Sequence, residues 1–198
     1  MTATFRVLTV CTGNIGRSPM AERFLRNRLD ERLKVAATSF EVTSAGTMGR
    51  AGEPMEEFAA VALTEAGISA CGFRGRLLNA DHLSNADLIL TATREHRVQA
   101  VAMQPQVVRR AFTLKEFARL TDMVNKDFVP NEPIDVVAGA HARTGLAARL
   151  RRMAGGPHSA DDDVVDPLGA PLDTYRIRAA EIDLACARAV DVLLGPAH

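Results

Sequence analysis

Cys11 and Arg17 stand six residues apart in the run Val10-Cys11-Thr12-Gly13-Asn14-Ile15-Gly16-Arg17-Ser18-Pro19. A thiol at one end of a short loop and a guanidinium at the other could hold an oxyanion above a nucleophile. Consecutive backbone N–H groups in a loop that leads into a helix converge on such an anion. Gly13, Asn14 and Gly16 are the residue types that tolerate the left-handed backbone a tight loop demands. Arg17 adds a planar fork that can bind two oxygens at once and stabilise transition-state charge. The thiolate is the reactive form of cysteine and a positive cradle favours it, so Cys11 is a ready nucleophile. Ser18 could donate a hydrogen bond to that thiolate, cap the following helix, or both. Thr12 and Ile15 complete the loop. A Cys-x5-Arg spacing alone arises often by chance. The Gly-Asn inside the loop, the Ser after Arg and Pro19 behind it make this run specific.

Displacing an ester oxygen from phosphorus needs a proton donor for the leaving group. Val164-Val165-Asp166-Pro167-Leu168-Gly169 offers Asp166 on a stiff turn, although Asp-Pro is also an ordinary turn element. His96 and His158 have a reading as auxiliary bases, but the expectation is an exposed or helix-face position for each. Arg143, Arg149, Arg151 and Arg152 could steer anionic substrates if their segment folds over the site; Asp161-Asp162-Asp163 reads as a solvated acidic cluster.

The elements that position these groups follow from apolar periodicity. Phe5 to Val10 reads as a buried strand that ends at the loop. Ser18 as N-cap and Pro19 at the first helical position open a helix to about Lys34. Phe40–Ser44 is a second strand, and Pro54 opens a helix that ends near Gly67. Ala86–Ala92 is a central strand, followed by a helix from Thr93 to Met103. Ala111–Leu114 is a short strand, and Leu114–Met123 a helix. Asp135–Met153 reads as a helix broken by Gly155-Gly156-Pro157, and the last helix runs from about Asp173 to Leu194. Strands alternating with helices predict an α/β three-layer sandwich with a central four-stranded parallel sheet and helices on both faces. In such sheets ligands bind beyond the carboxyl ends of the strands, where Cys11 lies.

The chain has 198 residues, 47% of them apolar, enough for one domain with a sizeable core. Zero formal net charge disfavours nonspecific nucleic-acid binding. With no Trp and one Tyr, there is no stacking platform for bases. Three Cys, at 11, 71 and 186, form no disulfide framework and no zinc spacing, which suits a reducing cytoplasm. No signal peptide and no membrane-spanning run is read.

Together these residues resemble the low-molecular-weight protein tyrosine phosphatases. The run from Val10 to Glu22 is similar to the family's loop and first helix. Thr43-Ser44-Ala45-Gly46-Thr47, Ala86-Asp87-Leu88-Ile89-Leu90, and Asp166-Pro167 ahead of a helix with Tyr175 match its further motifs. The similarity covers nearly the whole chain apart from about 125–160, expected as a helical or loop insertion before the Asp-Pro loop. The resemblance implies Cys11 as nucleophile, Arg17 as phosphate clamp, and Asp166 as acid and then base for the hydrolytic water. It also implies an Asn14–Ser44 hydrogen bond that holds the loop, a phosphotyrosine protein as substrate, and a tyrosine kinase as partner. Gly16 stands where the family often has a second Cys. Met48 and Leu168 stand where aromatics usually wall the cleft, and Phe73 where some members have a loop-supporting His. Two alternatives remain: an arsenate reductase of the same fold using an external thiol, and a non-catalytic phosphoprotein-binding module.

Overall fold

The computed structural model describes residues 3–128, 135–153 and 160–196. In chain order the elements are β1 (Phe5–Cys11), α1 (Arg17–Leu33), β2 (Phe40–Gly46), α2 (Glu57–Glu65), α3 (Ala80–Asn85), β3 (Leu88–Thr91), α4 (Arg94–Met103), β4 (Ala111–Thr113), α5 (Leu114–Arg119), α6 (Thr121–Asp127), α7 (Val136–Met153) and α8 (Leu172–Leu194). The strands form one parallel sheet in the order β2-β1-β3-β4, with Cys11 opposite Gly46 at its carboxyl edge.

Alternate side chains of these buried strands feed two cores, as the period of two requires. Val7, Leu88, Leu90 and Phe112 pack with α1, α5, α7 and α8 on one face. Leu8, Val10, Ile89 and Ala111 meet Leu83 of α3 and Ala100 of α4 on the other. The result is the expected three-layer sandwich.

Several boundaries differ from the expectation, each for a local reason. Helix α1 begins at Arg17 with Gly16 as its cap, so Ser18 is inside the first turn and caps nothing. Helix α2 begins after Glu56, whose carboxylate accepts from Ala59 N at 3.0 Å. The helix expected over Leu114–Met123 is two, because Thr121 Oγ1 turns back to Ala118 O (2.6 Å) at the break. Helix α3, six residues long, is too short for an apolar period to register; Asn79 caps it.

Of the segment 125–160, helix α7 is packed into the main core. Val137, Ala140, Ala147 and Leu150 of α7 are buried there. Two of its arginines are engaged within the fold. The Arg151 guanidinium stacks 4.2 Å over the Phe112 ring and donates to Ala111 O, and that of Arg143 stacks 4.0 Å over Phe128. His141 of α7 meets Phe5 at the amino end of β1, about 20 Å of strand away from Cys11. The Gly155-Gly156-Pro157 break and His158 lie outside the described residues.

Candidate active site

The Cys11–Arg17 loop is shaped by a second strap of backbone. Thr47, Met48, Arg50 and Glu56 donate their amides to the carbonyls of Cys11, Thr12, Gly13 and Ile15 at 2.8–3.0 Å. The strap takes these carbonyls and leaves the amides from Gly13 to Arg17 unused. None of them has a hydrogen-bond partner among the described residues. That is the arrangement of an anion-binding nest.

Of the three residues expected to adopt left-handed backbone, only Asn14 does, at φ 53°. Its side chain compensates that strain. Oδ1 accepts from Arg76 N at 2.7 Å, which fixes the amide orientation because a backbone N–H can only donate. Nδ2 then donates to Ser18 Oγ at 2.9 Å. Ser18 Oγ also lies 2.9 Å from Cys11 Sγ, where either atom can donate, and 3.5 Å from Ala45 O, to which its O–H can donate.

The expected Asn14–Ser44 bond is absent. Ser44 Oγ donates instead to Glu22 Oε2 at 2.6 Å, with Arg76 Nη2 3.7 Å from the same oxygen. Ser44 supports the loop at one remove: Glu22 holds the Arg76 side chain while Arg76 N holds Asn14. Phe73 is buried in the core nearby and has no ring nitrogen to offer the loop.

Arg17 is 6% exposed, and its fork meets the acid loop. Nη1 donates to Val164 O at 3.0 Å; Nη2 reaches Asp166 Oδ2 at 2.5 Å and Thr12 Oγ1 at 3.3 Å. The Asp166 Oδ1 atom accepts from Leu168 N at 3.1 Å, the stiff turn read from Asp-Pro. The acidic run before it is solvated only at Asp161. Asp162 is buried on the Arg119 guanidinium, and Asp163 accepts from Arg94 N at the start of α4 and faces its guanidinium. These pairs place the loop that carries Asp166.

Cys11, Arg17 and Asp166 thus share one cleft of about 180 Å³. Met48 and Leu168, 74% and 57% exposed, form an aliphatic rim as expected. Tyr175 was read only as a family feature, yet it lines the cleft. Burial and then the Glu56 carboxylate push its hydroxyl up to about 12, so it stays neutral.

His96 corrects the exposed or helix-face expectation. It is 6% exposed, and its ring nitrogens lie 2.9 Å from Thr12 Oγ1 and 2.7 Å from Thr93 Oγ1. Burial and then Arg17 lower its pKa to about 4, so the ring is neutral near pH 7. The other cysteines are not relay partners. Cys186 is fully buried, its thiol pushed well up by burial, and Cys71 is exposed and unpaired.

Known proteins resemble this chain over the same elements. The family model for the low molecular weight phosphotyrosine protein phosphatases matches residues 6–135. A low molecular weight protein-tyrosine-phosphatase of Escherichia coli is 42% identical over 101 residues, 51% of this chain; the match spans 63% of that relative, under two thirds of its length. A protein-arginine-phosphatase of Geobacillus stearothermophilus is 28% identical over 96% of both chains. Among solved structures, a low molecular weight protein tyrosine phosphatase from T. tengcongensis superposes with TM-score 0.68 at 28% identity, covering 95% of this chain and 99% of its own. No helix among the described residues is long and apolar enough to cross a membrane.

Proposed function

Because the chain belongs to the low molecular weight phosphotyrosine protein phosphatase family, we propose that it hydrolyses phosphotyrosine in proteins through a phosphocysteine intermediate. The observation that supports this reading is the cleft itself: Cys11, Arg17 and Asp166 line it together, and the loop amides from Gly13 to Arg17 have no hydrogen-bond partner among the described residues. The Cys11 thiolate attacks phosphorus in line. The P–O ester bond breaks, and the leaving oxygen takes its proton from Asp166. The Asp166 carboxylate then takes a proton from water as that water attacks the phosphocysteine, releasing inorganic phosphate and the thiolate. Arg17 and the amides from Gly13 to Arg17 hold the equatorial oxygens. Ser18 stabilises the thiolate, and Thr12, Asn14, Ile15 and Gly16 shape the nest, with Ser44 behind it. No metal or cofactor is needed in this scheme.

Ile15, Met48, Leu168 and the Tyr175 ring give the cleft an apolar side suited to an aryl group, which supports phosphotyrosine as substrate and a tyrosine kinase as the partner class. We take residues 1–198 as one phosphatase domain working in a reducing cytoplasm, where an unprotected thiolate persists. The test is hydrolysis of p-nitrophenyl phosphate, a phosphotyrosyl peptide and a phosphoarginyl peptide, with Cys11→Ser as control. Turnover of the aryl substrates that Cys11→Ser abolishes supports the reading, and retained turnover in that variant sinks it. Thiol-dependent arsenate turnover without ester hydrolysis would favour a reductase. Tight phosphopeptide binding without hydrolysis would favour a binding module.

A further inference from the structure

His96 is the buried titratable group to which the reaction above gives no task. It sits in the first turn of α4, behind the Cys11–Arg17 loop, and contributes no wall to the cleft. Its Nε2 is 2.9 Å from Thr12 Oγ1, and the same oxygen accepts from Arg17 Nη2 at 3.3 Å. One hydroxyl therefore joins the imidazole to the guanidinium. We propose that His96 is a positioning residue: it fixes the Thr12 hydroxyl as a stop for Arg17 Nη2 and so presets the guanidinium plane for the phosphoryl group. The proposal rests on the phosphatase reading and assigns a residue to it.

A neutral imidazole has one donor and one acceptor, so it can link two hydroxyls in series. Here those hydroxyls are Thr93, which also caps α4 by accepting from His96 N, and Thr12. A cationic ring would present two donors and add positive charge beside Arg17. Burial and Arg17 oppose that state, while Asp163 and Asp166 favour it; the neutral ring prevails. Arg17 has three anchors: Val164 O, Asp166 and Thr12 Oγ1. A phosphoryl group competes with Asp166 for the fork, leaving Val164 O and Thr12 Oγ1 to hold its two terminal nitrogens. Without His96, Thr12 can rotate among its staggered rotamers and the second anchor is lost.

The test uses His96→Ala, Thr12→Val and the double variant. It measures inorganic-phosphate affinity by calorimetry and kcat/KM for p-nitrophenyl phosphate, with melting temperature recorded for each protein. For His96→Ala both quantities are expected to fall roughly tenfold, the scale of one buried hydrogen bond. In the Thr12→Val background the same change is expected to add less than about twofold, because the two residues act as one unit. His96→Gln, whose amide can reach Thr12, should recover most of the loss that His96→Leu does not. That Gln–Leu comparison also stands in if the alanine variant fails to fold. Unchanged phosphate affinity and kcat/KM in His96→Ala would overturn the proposal, as would equal losses with and without the Thr12 hydroxyl. Wild-type protein that binds phosphate but hydrolyses no ester would sink the phosphatase reading alone, since the His96 effect is still read from phosphate affinity.

Discussion

Arg17 Nη2 lies 2.5 Å from Asp166 Oδ2, so the proposed anion clamp and the proposed proton donor occupy one another. The pair is asymmetric. The Arg17 side chain is 6% exposed and that of Asp166 48%. Arg17 is held from behind by Val164 O and Thr12 Oγ1, whereas Asp166 sits on a surface turn. An arriving phosphoryl group therefore meets a clamp already in place and needs only to outcompete a half-exposed carboxylate. Two more oxygens of a dianion suit the planar fork better than one carboxylate oxygen does. Asp166, released from Arg17, becomes available to carry the proton the leaving group needs.

Asp166→Asn tests that division of labour. Asparagine can keep the turn through its side-chain oxygen and Leu168 N, but it cannot act as an acid. For phenyl phosphate, with a poor leaving group, kcat is expected to fall by about 10²–10³-fold. For p-nitrophenyl phosphate, whose leaving group needs little protonation, the loss should be much smaller. Equal losses on the two esters would remove Asp166 from the role of proton donor.

Arg17→Lys keeps the charge and removes the fork. One ammonium cannot meet Val164 O, Thr12 Oγ1 and two phosphoryl oxygens together. We expect kcat/KM to fall by about 10²–10³-fold, as for loss of a preorganised transition-state donor. Inhibition by inorganic phosphate should weaken as well. A variant with near wild-type kcat/KM would show that charge alone suffices.

What could be read from the sequence was local. Cys11, Arg17 and Ser18 lie within eight residues, so the chemistry proposed for them shows as a contiguous run. The alternation of strands and helices gave the layers because β3 is buried throughout and β1 is buried at every position except Arg6. Relations that close over long sequence separations were not legible. His96 meets Thr12 across 84 residues, and Ser44 meets Glu22 across 22. Nothing in Thr93-Arg94-Glu95-His96 signals that its ring turns inward. The nearest available signal was Thr93, three residues ahead, as a helix cap that orients the first turn. The acidic run misled in the same way: Asp162 and Asp163 find their arginines on α5 and α4, far back in the chain.

The loop also depends on a residue with no functional group. A Cβ on Gly46 would lie 2.4 Å from Thr12 O and 2.8 Å from Asn14 N. Both are backbone atoms of the nest, so the strain cannot be relieved by a side-chain rotation. Gly46→Ala is expected to displace the loop and cost at least about 1–3 kcal/mol of stability, the usual scale for overpacking. Activity should suffer more than stability does, because misplacement by about 1 Å can cost about 100-fold in rate. The check is kcat/KM for p-nitrophenyl phosphate against a urea denaturation curve. Wild-type activity in this variant would mean the nest tolerates a shift that its geometry does not suggest.

His96 also makes stability depend on pH in a defined window. Its folded pKa is lowered from 6.5 to about 4, by burial first and by Arg17 second. Between those values the unfolded chain holds a proton on this ring that the folded chain does not. Stability therefore rises with pH across the window and falls as the solution is acidified from about 6.5 toward 4. The full shift corresponds to about 3 kcal/mol, at about 1.4 kcal/mol per pKa unit. Above pH 7 and below pH 4 this group contributes no slope. Urea unfolding of wild type and His96→Gln at several pH values between 4 and 7.5 measures it. On acidification wild type should lose stability relative to the glutamine variant, because that variant lacks this proton linkage while other groups titrate alike in both. Parallel curves across the window would mean that His96 charges freely in the folded protein, and that its ring is not held as the neutral link between Thr93 and Thr12.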